Sequence, residues 1–488
     1  MFGSACALGR LKSVGRGKLS DNASVRKWVR RVLAAAALLL VAGIAVVAVR
    51  GRRPASTAAA YFAKMTCSGV FLSERDPASV RNGELALDIP LTRLINVDVD
   101  RQQGVVTASV AGLVKRRALY RPGLGCTLDS EVSVAELKRQ SGSLPTPAAA
   151  AEPWKEVGAE NLVRDRLNAA LDDAFTEPEP THPRRTRAVV VVRDGALVAE
   201  RYAPGFSREM RLQGWSMGKS LTNALVGILV RQGKLDMHAP PPVPEWSAPG
   251  DPRHAITLDQ LMRMSSGLEF LESYGDLESD VTVMLFRKAS AGGYAAAKPL
   301  IRAPDAAWEY SSGTANIISR IVRNAVGGTL GDYWTFPQRE LFDRIGMSSA
   351  ILEPDASGTF VGSSFCYATA HDWARLGLLF LNDGVAHGER ILPAGWVRYS
   401  TTPTAKAPDG QYGALIWLNA GDGADPQKRP WPSAPRDTFA FQGFEGQHVF
   451  VVPSRRLVVV RLGLSQSGST WNAGQFIGAV AAAFPETH

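Results

Sequence analysis

Apolar and polar positions change spacing several times along this chain, and each change marks an element. Ala188-Val189-Val190-Val191-Val192-Arg193 reads as a strand, Asp194-Gly195 as a tight turn, and Ala196 to Tyr202 as the second arm of a β-hairpin. A helical pattern over Leu162 to Ala174 comes before this hairpin. After it, Leu221, Leu225, Ile228 and Leu229 recur at helical spacing behind Ser216. From about Asp236 to Gly346 the pattern is mostly helical and loop-rich, and Thr257 is placed to cap a helix running to Met264. A further helix is predicted over Ala370 to Asn382. Strands return at Tyr412 to Leu418, His448 to Val452 and Leu457 to Leu462, and a helix closes the chain from about Asn472 to Phe484. Strands at both ends with helices between imply one sheet assembled from distant segments, with helical material inserted.

Upstream, the clearest strand is Val105 to Val110, within a mixed region from Tyr61 to about Gln140. Ser141 to Pro153 is rich in Ser, Pro and Ala and reads as a linker or a draped loop. The 18 residues from Val32 to Val49 are all Ala, Leu, Val, Ile or Gly. At about 1.5 Å per residue they span roughly 27 Å, near the thickness of a bilayer core.

Charge sharpens this picture. Eight Lys and Arg crowd the first 31 residues, and Arg50, Arg52 and Arg53 follow the apolar run. These 11 exceed the net charge of +9 of the whole 488-residue chain, so the remainder is close to neutral and carries no nucleic-acid footprint. More basic residues precede the run than follow it, which places the N-terminus in the cytoplasm and the bulk outside. The expected organisation is a basic cytoplasmic tail (1–31), a transmembrane segment (32–49), an extracytoplasmic region with linker (50–153) and a catalytic domain (154–488). A buried soluble helix, a signal peptide cleaved at Ala58-Ala59-Ala60 and a twin-arginine signal at Arg30-Arg31 are the competing readings of the run.

An oxidising compartment suits the cysteines. Cys67 and Cys126 are expected to pair, which contributes on the order of 4 kcal/mol by loop entropy. Two free buried thiols are the alternative. No Cys/His spacing suggests a metal site, and no cofactor is expected.

The candidate chemistry centres on Gly214-Trp215-Ser216-Met217-Gly218-Lys219. Positions i and i+3 share a helix face, so the Ser216 hydroxyl and the Lys219 amine can meet. Lysine then takes the serine proton without a histidine. The spacing alone is weak, since Ser24-Val25-Arg26-Lys27 repeats it. Two more stretches add weight: Trp308-Glu309-Tyr310-Ser311-Ser312-Gly313, and Phe439 to Gln447 leading into a strand.

In this order and at these distances, the three motifs resemble the serine β-lactamase and penicillin-binding protein superfamily. The likeness is to its class C-like branch of esterases and amide hydrolases, of the 6-aminohexanoate-dimer hydrolase type. Ile256 to Leu268, Tyr310 to Asn316 and Pro453 to Val460 carry similar wording. The resemblance implies an α/β (α+β) fold of the β-lactamase/transpeptidase type, a central antiparallel sheet flanked by helices with a mostly helical insertion. It implies Ser216 as nucleophile, Lys219 as proton acceptor and Tyr310 as proton shuttle. The amides of Ser216 and Phe444 would form an oxyanion hole, with Ser312 and Gly443 in the substrate site. Burying Lys219 beside Tyr310 would depress the lysine, and the ammonium form would favour a tyrosinate.

Three departures bear on substrate contacts. Ser312 stands where the second motif usually has Asn, and Pro304-Asp305 replaces a frequent Pro-Gly. Phe441-Gln442-Gly443 replaces a third motif that usually begins with Lys or His. The expected partner is a small ester or amide, and the membrane is reached through the N-terminal helix. β-Lactamase or D,D-peptidase activity is the alternative activity, and a catalytically dead binding module for cell-envelope ligands the alternative class. Gly214 to Gly218 also fits a Gly-x-Ser-x-Gly elbow with His448 as base, although the polar Arg208 to Gln213 makes a poor preceding strand.

Overall fold

The computed structural model describes residues 22–86, 90–140, 144, 154–156, 163–421 and 425–484. Met1–Arg53 and Pro54–His488 separate as two compact units. In the first, the described chain is helical from Asn22 onward, within a helix recorded as Asn22–Phe71. The side chains of 36–50 lie outside the described residues, and with them most of those of the expected span Val32 to Val49. Among the described residues no helix is long and apolar enough to cross a membrane. The expected linker, apart from Leu144, also falls outside them.

The second unit is built on a seven-stranded sheet. Its order is Trp417–Leu418, Phe439–Gly443, Gln447–Val452, Leu457–Gly463, Thr186–Arg193, Ala196–Tyr202 and Lys155–Glu156. Neighbours are antiparallel except the last pair, so N-terminal and C-terminal segments meet where Val191 pairs with Val459. The hairpin turn falls at Asp194 and Gly195 as expected, both with positive φ (51° and 79°). The expected strand Tyr412 to Leu418 shrinks to Trp417–Leu418, because Tyr412 bridges back to Trp417 in a tight turn.

Alternation along the central strands divides two cores. Val189, Val191, Phe450 and Val459 face one layer with the helices Arg164–Phe175 and Ala473–Ala481. Val190, Val192, Phe441, Val449 and Val458 face the other, with Ala370–Leu381 and the helical insertion. The helices Met217–Arg231 and Ser312–Val326 belong to this second layer. Thr257 caps its helix in a capping box with Gln260, as its sequence position predicted.

The region after Pro54 is part of this unit. Ile95–Asp100, Val105–Val110, Val114–Arg121 and Gly125–Leu128 form a separate antiparallel four-stranded sheet. Cys67 and Cys126 are disulfide-bonded with their Cα atoms 6.0 Å apart, which ties the end of the long helix to this sheet. Cys366 is buried and free.

Candidate active site

Leu212–Gln213 pairs with Tyr367–Ala368, and the Gly214 amide donates to the Cys366 carbonyl at 2.8 Å, which aims the chain at the next helix. Trp215 turns the corner in left-handed backbone (φ 49°), a conformation costing a non-glycine residue about 1–3 kcal/mol. Ser216 is then the N-cap of Met217–Arg231, but its side chain makes no capping bond. One turn on, Lys219 is buried (1% exposed), and its Nζ lies 2.9 Å from Ser216 Oγ. The same nitrogen reaches Ser312 Oγ at 3.0 Å and the Ser363 carbonyl at 3.2 Å.

Ser311 caps the helix Ser312–Val326 by accepting from the Thr314 amide, and this turn carries Tyr310 and Ser312 to Lys219. Lys219 Nζ lies 4.6 Å from the Tyr310 ring centre. Burial pushes Lys219 down to about 8, against the charge of Glu272, which raises it. Tyr310 moves the other way. Burial raises it, the Glu272 charge raises it further, and a hydrogen bond with Ser216 only partly opposes them. The expected tyrosinate is not favoured: the lysine is depressed, but burial disfavours the Tyr310 anion and the Glu272 charge raises the phenol further.

Glu272 was not foreseen from the sequence. Its Oε2 accepts from the Ser312 amide at 2.8 Å and its Oε1 from the Ser312 hydroxyl at 2.5 Å. Tyr274, on the same loop, has its hydroxyl 3.5 Å from Ser312 Oγ. Its ring stacks on Phe444 at 4.9 Å, and Trp215 meets Phe444 edge-on at 5.8 Å. Opposite, Tyr310 packs against Trp417 at 5.4 Å and Tyr412 at 5.8 Å.

Gly443 and Phe444 lie beside Gly214 and Trp215, the residues just before Ser216. A Cβ on Gly443 would lie 2.1 Å from the Gly214 carbonyl, so only glycine lets this strand end approach the backbone before Ser216. Phe444 is 41% exposed at the site's edge. Phe441 is different: fully buried, it packs against Phe380 at 5.0 Å between sheet and helix. The first position of the third motif is thus a core residue here, and Gln442 is its half-buried neighbour.

A family model described as Beta-lactamase matches residues 164–470. The chain belongs to the beta-lactamase family. It is 26% identical over 345 residues to 6-aminohexanoate-dimer hydrolase of Paenarthrobacter ureafaciens, covering 66% of this chain and 83% of that protein. Among solved structures, it is similar to a putative 6-aminohexanoate-dimer hydrolase from Bacillus anthracis. That match has a TM-score of 0.51 and 21% identity, covering 69% of this chain and 86% of the other. It is also similar to EstCE1, a hydrolase with promiscuous acyltransferase activity (TM-score 0.50, 14% identity, 66% and 97% covered). The two structures bear on the fold alone. With family and curated relative together, this chain is a serine hydrolase of the beta-lactamase family.

The family's Pro-Gly position is also accommodated. Asp305 takes φ 65°, a conformation Asp tolerates, and its carboxylate accepts from Ser265 Oγ (2.6 Å) and Gln260 Nε2 (2.7 Å). His448 shares the sheet face of Phe450, stacked on it at 4.7 Å, away from the layer holding the Ser216 helix. Burial pushes it down to about 3, so it is neutral. His448 is thus on the other side of the sheet from Ser216, whose hydroxyl has the Lys219 amine beside it at 2.9 Å. Among the described residues no cluster of His, Cys, Asp and Glu could hold a metal ion.

Proposed function

We propose that this chain hydrolyses a small neutral ester or short amide through an acyl-enzyme on Ser216. The observation that carries this reading is the 2.9 Å approach of Lys219 Nζ to a Ser216 hydroxyl that makes no capping bond. As Ser216 Oγ bonds to the substrate carbonyl carbon, its proton passes to Lys219. The amides of Ser216 and Phe444 hold the oxyanion. Collapse breaks the bond to the alcohol or amine, which leaves with a proton delivered through Tyr310. Water then attacks the acyl-serine, releasing the acid and returning the proton to Ser216. A neutral Tyr310 suits this carrier role, since a phenol can both give and take a proton. The curated relative named for a 6-aminohexanoate dimer supports an amide among the substrates.

The test is intact-mass detection of an acyl adduct on Ser216 after exposure to esters, short amides and β-lactams. An adduct with β-lactams alone supports the penicillin-directed alternative. No adduct and no turnover would leave a binding module.

We also infer that Val32 to Val49 tethers the catalytic unit outside the cytoplasmic membrane. The basic clusters on both sides of that run and the Cys67–Cys126 disulfide support this.

A further inference from the structure

The hydrogens around Lys219 can be counted. Its nitrogen has three oxygen neighbours: Ser216 Oγ, Ser312 Oγ and the Ser363 carbonyl. As an ammonium, Lys219 donates to all three. As the neutral amine that a base must be, it has only two hydrogens and one lone pair. The Ser363 carbonyl can only accept, so it takes one hydrogen. The Ser312 oxygen could in principle accept or donate, and the choice decides the chemistry. A Ser312 hydroxyl donating to Lys219 would occupy the lone pair, and an amine hydrogen would then point at Ser216.

Glu272 settles that choice. A carboxylate only accepts, and both its oxygens face Ser312, one on the amide (2.8 Å) and one on the hydroxyl (2.5 Å). The Ser312 hydroxyl proton is thus committed to Glu272, and Ser312 Oγ must accept from Lys219. Both amine hydrogens are then spent on Ser363 and Ser312. The remaining lone pair faces Ser216.

We propose that Glu272 is a positioning residue of this site, which fixes the direction of the Lys219–Ser312 hydrogen bond and so aims the lysine lone pair at the Ser216 hydroxyl. This rests on the Ser216–Lys219 reading given above. The geometry also gives Glu272 a second, opposing effect. Its charge raises the Lys219 pKa, so Glu272 makes the base harder to deprotonate while aiming it correctly. The other titratable groups around Glu272 are Tyr274, Tyr310 and Tyr412, each raised by its charge.

The two effects separate in Glu272→Gln. A glutamine accepts through one atom only. When that oxygen takes the Ser312 amide, its NH2 donates to Ser312 Oγ and turns the hydroxyl proton toward Lys219. With p-nitrophenyl butyrate as probe, acylation in the full chain should slow by roughly 10²-fold, the lower end of what a general base contributes, with KM little changed. The acid limb of kcat/KM should move to lower pH at the same time. A base that is neutral over more of the pH range, yet slower, is misdirected and not merely protonated. Adding Ser312→Ala to Glu272→Gln removes the misdirected hydroxyl and should recover rate. If Glu272→Gln does not fold, Glu272→Ala carries the same comparison.

An unchanged acylation rate would overturn the proposal. So would a slower rate with the acid limb moved upward, or a double variant no faster than Glu272→Gln. Failure of the underlying reading looks different, because Ser216→Ala would then keep its activity.

Discussion

The Lys64 ammonium meets the Glu353 carboxylate at 2.5 Å across 289 residues of sequence, with both side chains almost wholly buried. Glu353 also accepts from Ser68 Oγ and the Cys126 amide, each at 2.7 Å. The end of the long helix, the disulfide and the catalytic unit therefore share one carboxylate. Removing one partner of a buried pair leaves the other uncompensated, typically at a cost of about 3–5 kcal/mol. Lys64→Met should lower the urea midpoint accordingly. A change worth under about 1 kcal/mol would show that the pair contributes little.

Ser216→Ala, Lys219→Ala and Tyr310→Phe should each remove most hydrolysis of a simple ester, while His448→Ala should not. Lys219 contacts Ser216, whereas His448 lies on the opposite face of the sheet beside Phe450. Loss of a base typically costs about 10²–10⁴-fold. Loss of activity in His448→Ala with Lys219→Ala unaffected would restore the triad.

The pH profile follows from the depressed lysine. Burial lowers Lys219 to about 8, and only its neutral form accepts the Ser216 proton. Below that value it is charged, so kcat/KM should rise with pH through about 8 and then level off. Tyr310 is raised above its ordinary value, so its ionisation should not cut the plateau short at moderately alkaline pH. A flat profile between pH 6 and 9 would exclude lysine as the base.

Substrates that depend on a carboxylate contact should be poor. Phe441 is buried against Phe380, and the charge acting on Tyr310 is that of Glu272, which is negative. A missing charge-assisted hydrogen bond of roughly 1.5–3 kcal/mol corresponds to about ten- to a hundredfold in kcat/KM. Comparing a penicillin, a neutral acyl ester and a linear amide tests this. Penicillin turnover equal to the ester would refute it.

Protease added to intact spheroplasts should digest the catalytic unit if Val32 to Val49 anchors it outside. Protection would sink that topology. A non-reducing peptide map should show Cys67 joined to Cys126, and reduction should cost on the order of 4 kcal/mol by the loop-entropy account.

The sequence by itself determined what is local. Helical spacing put Ser216 and Lys219 on one face, Asp194-Gly195 set the hairpin, and Thr257 set its cap, because each depends on a few consecutive residues. Motif order marked Tyr310, Ser312, Gly443 and Phe444 as partners. Tertiary structure decided the rest. Glu272 sits in a loop with no distinctive spacing and matters only because folding sets it against Ser312, 40 residues away. Phe441 turned to the core because strand alternation and the packing of Phe380 fixed its side. Tyr310 is raised, not lowered, because burial and the Glu272 charge both oppose its anion. Lys64 looked like one more basic residue until Glu353 closed over it. Charge state, side-chain direction and long-range pairing are properties of the packed environment, and no short stretch of chain contains that environment.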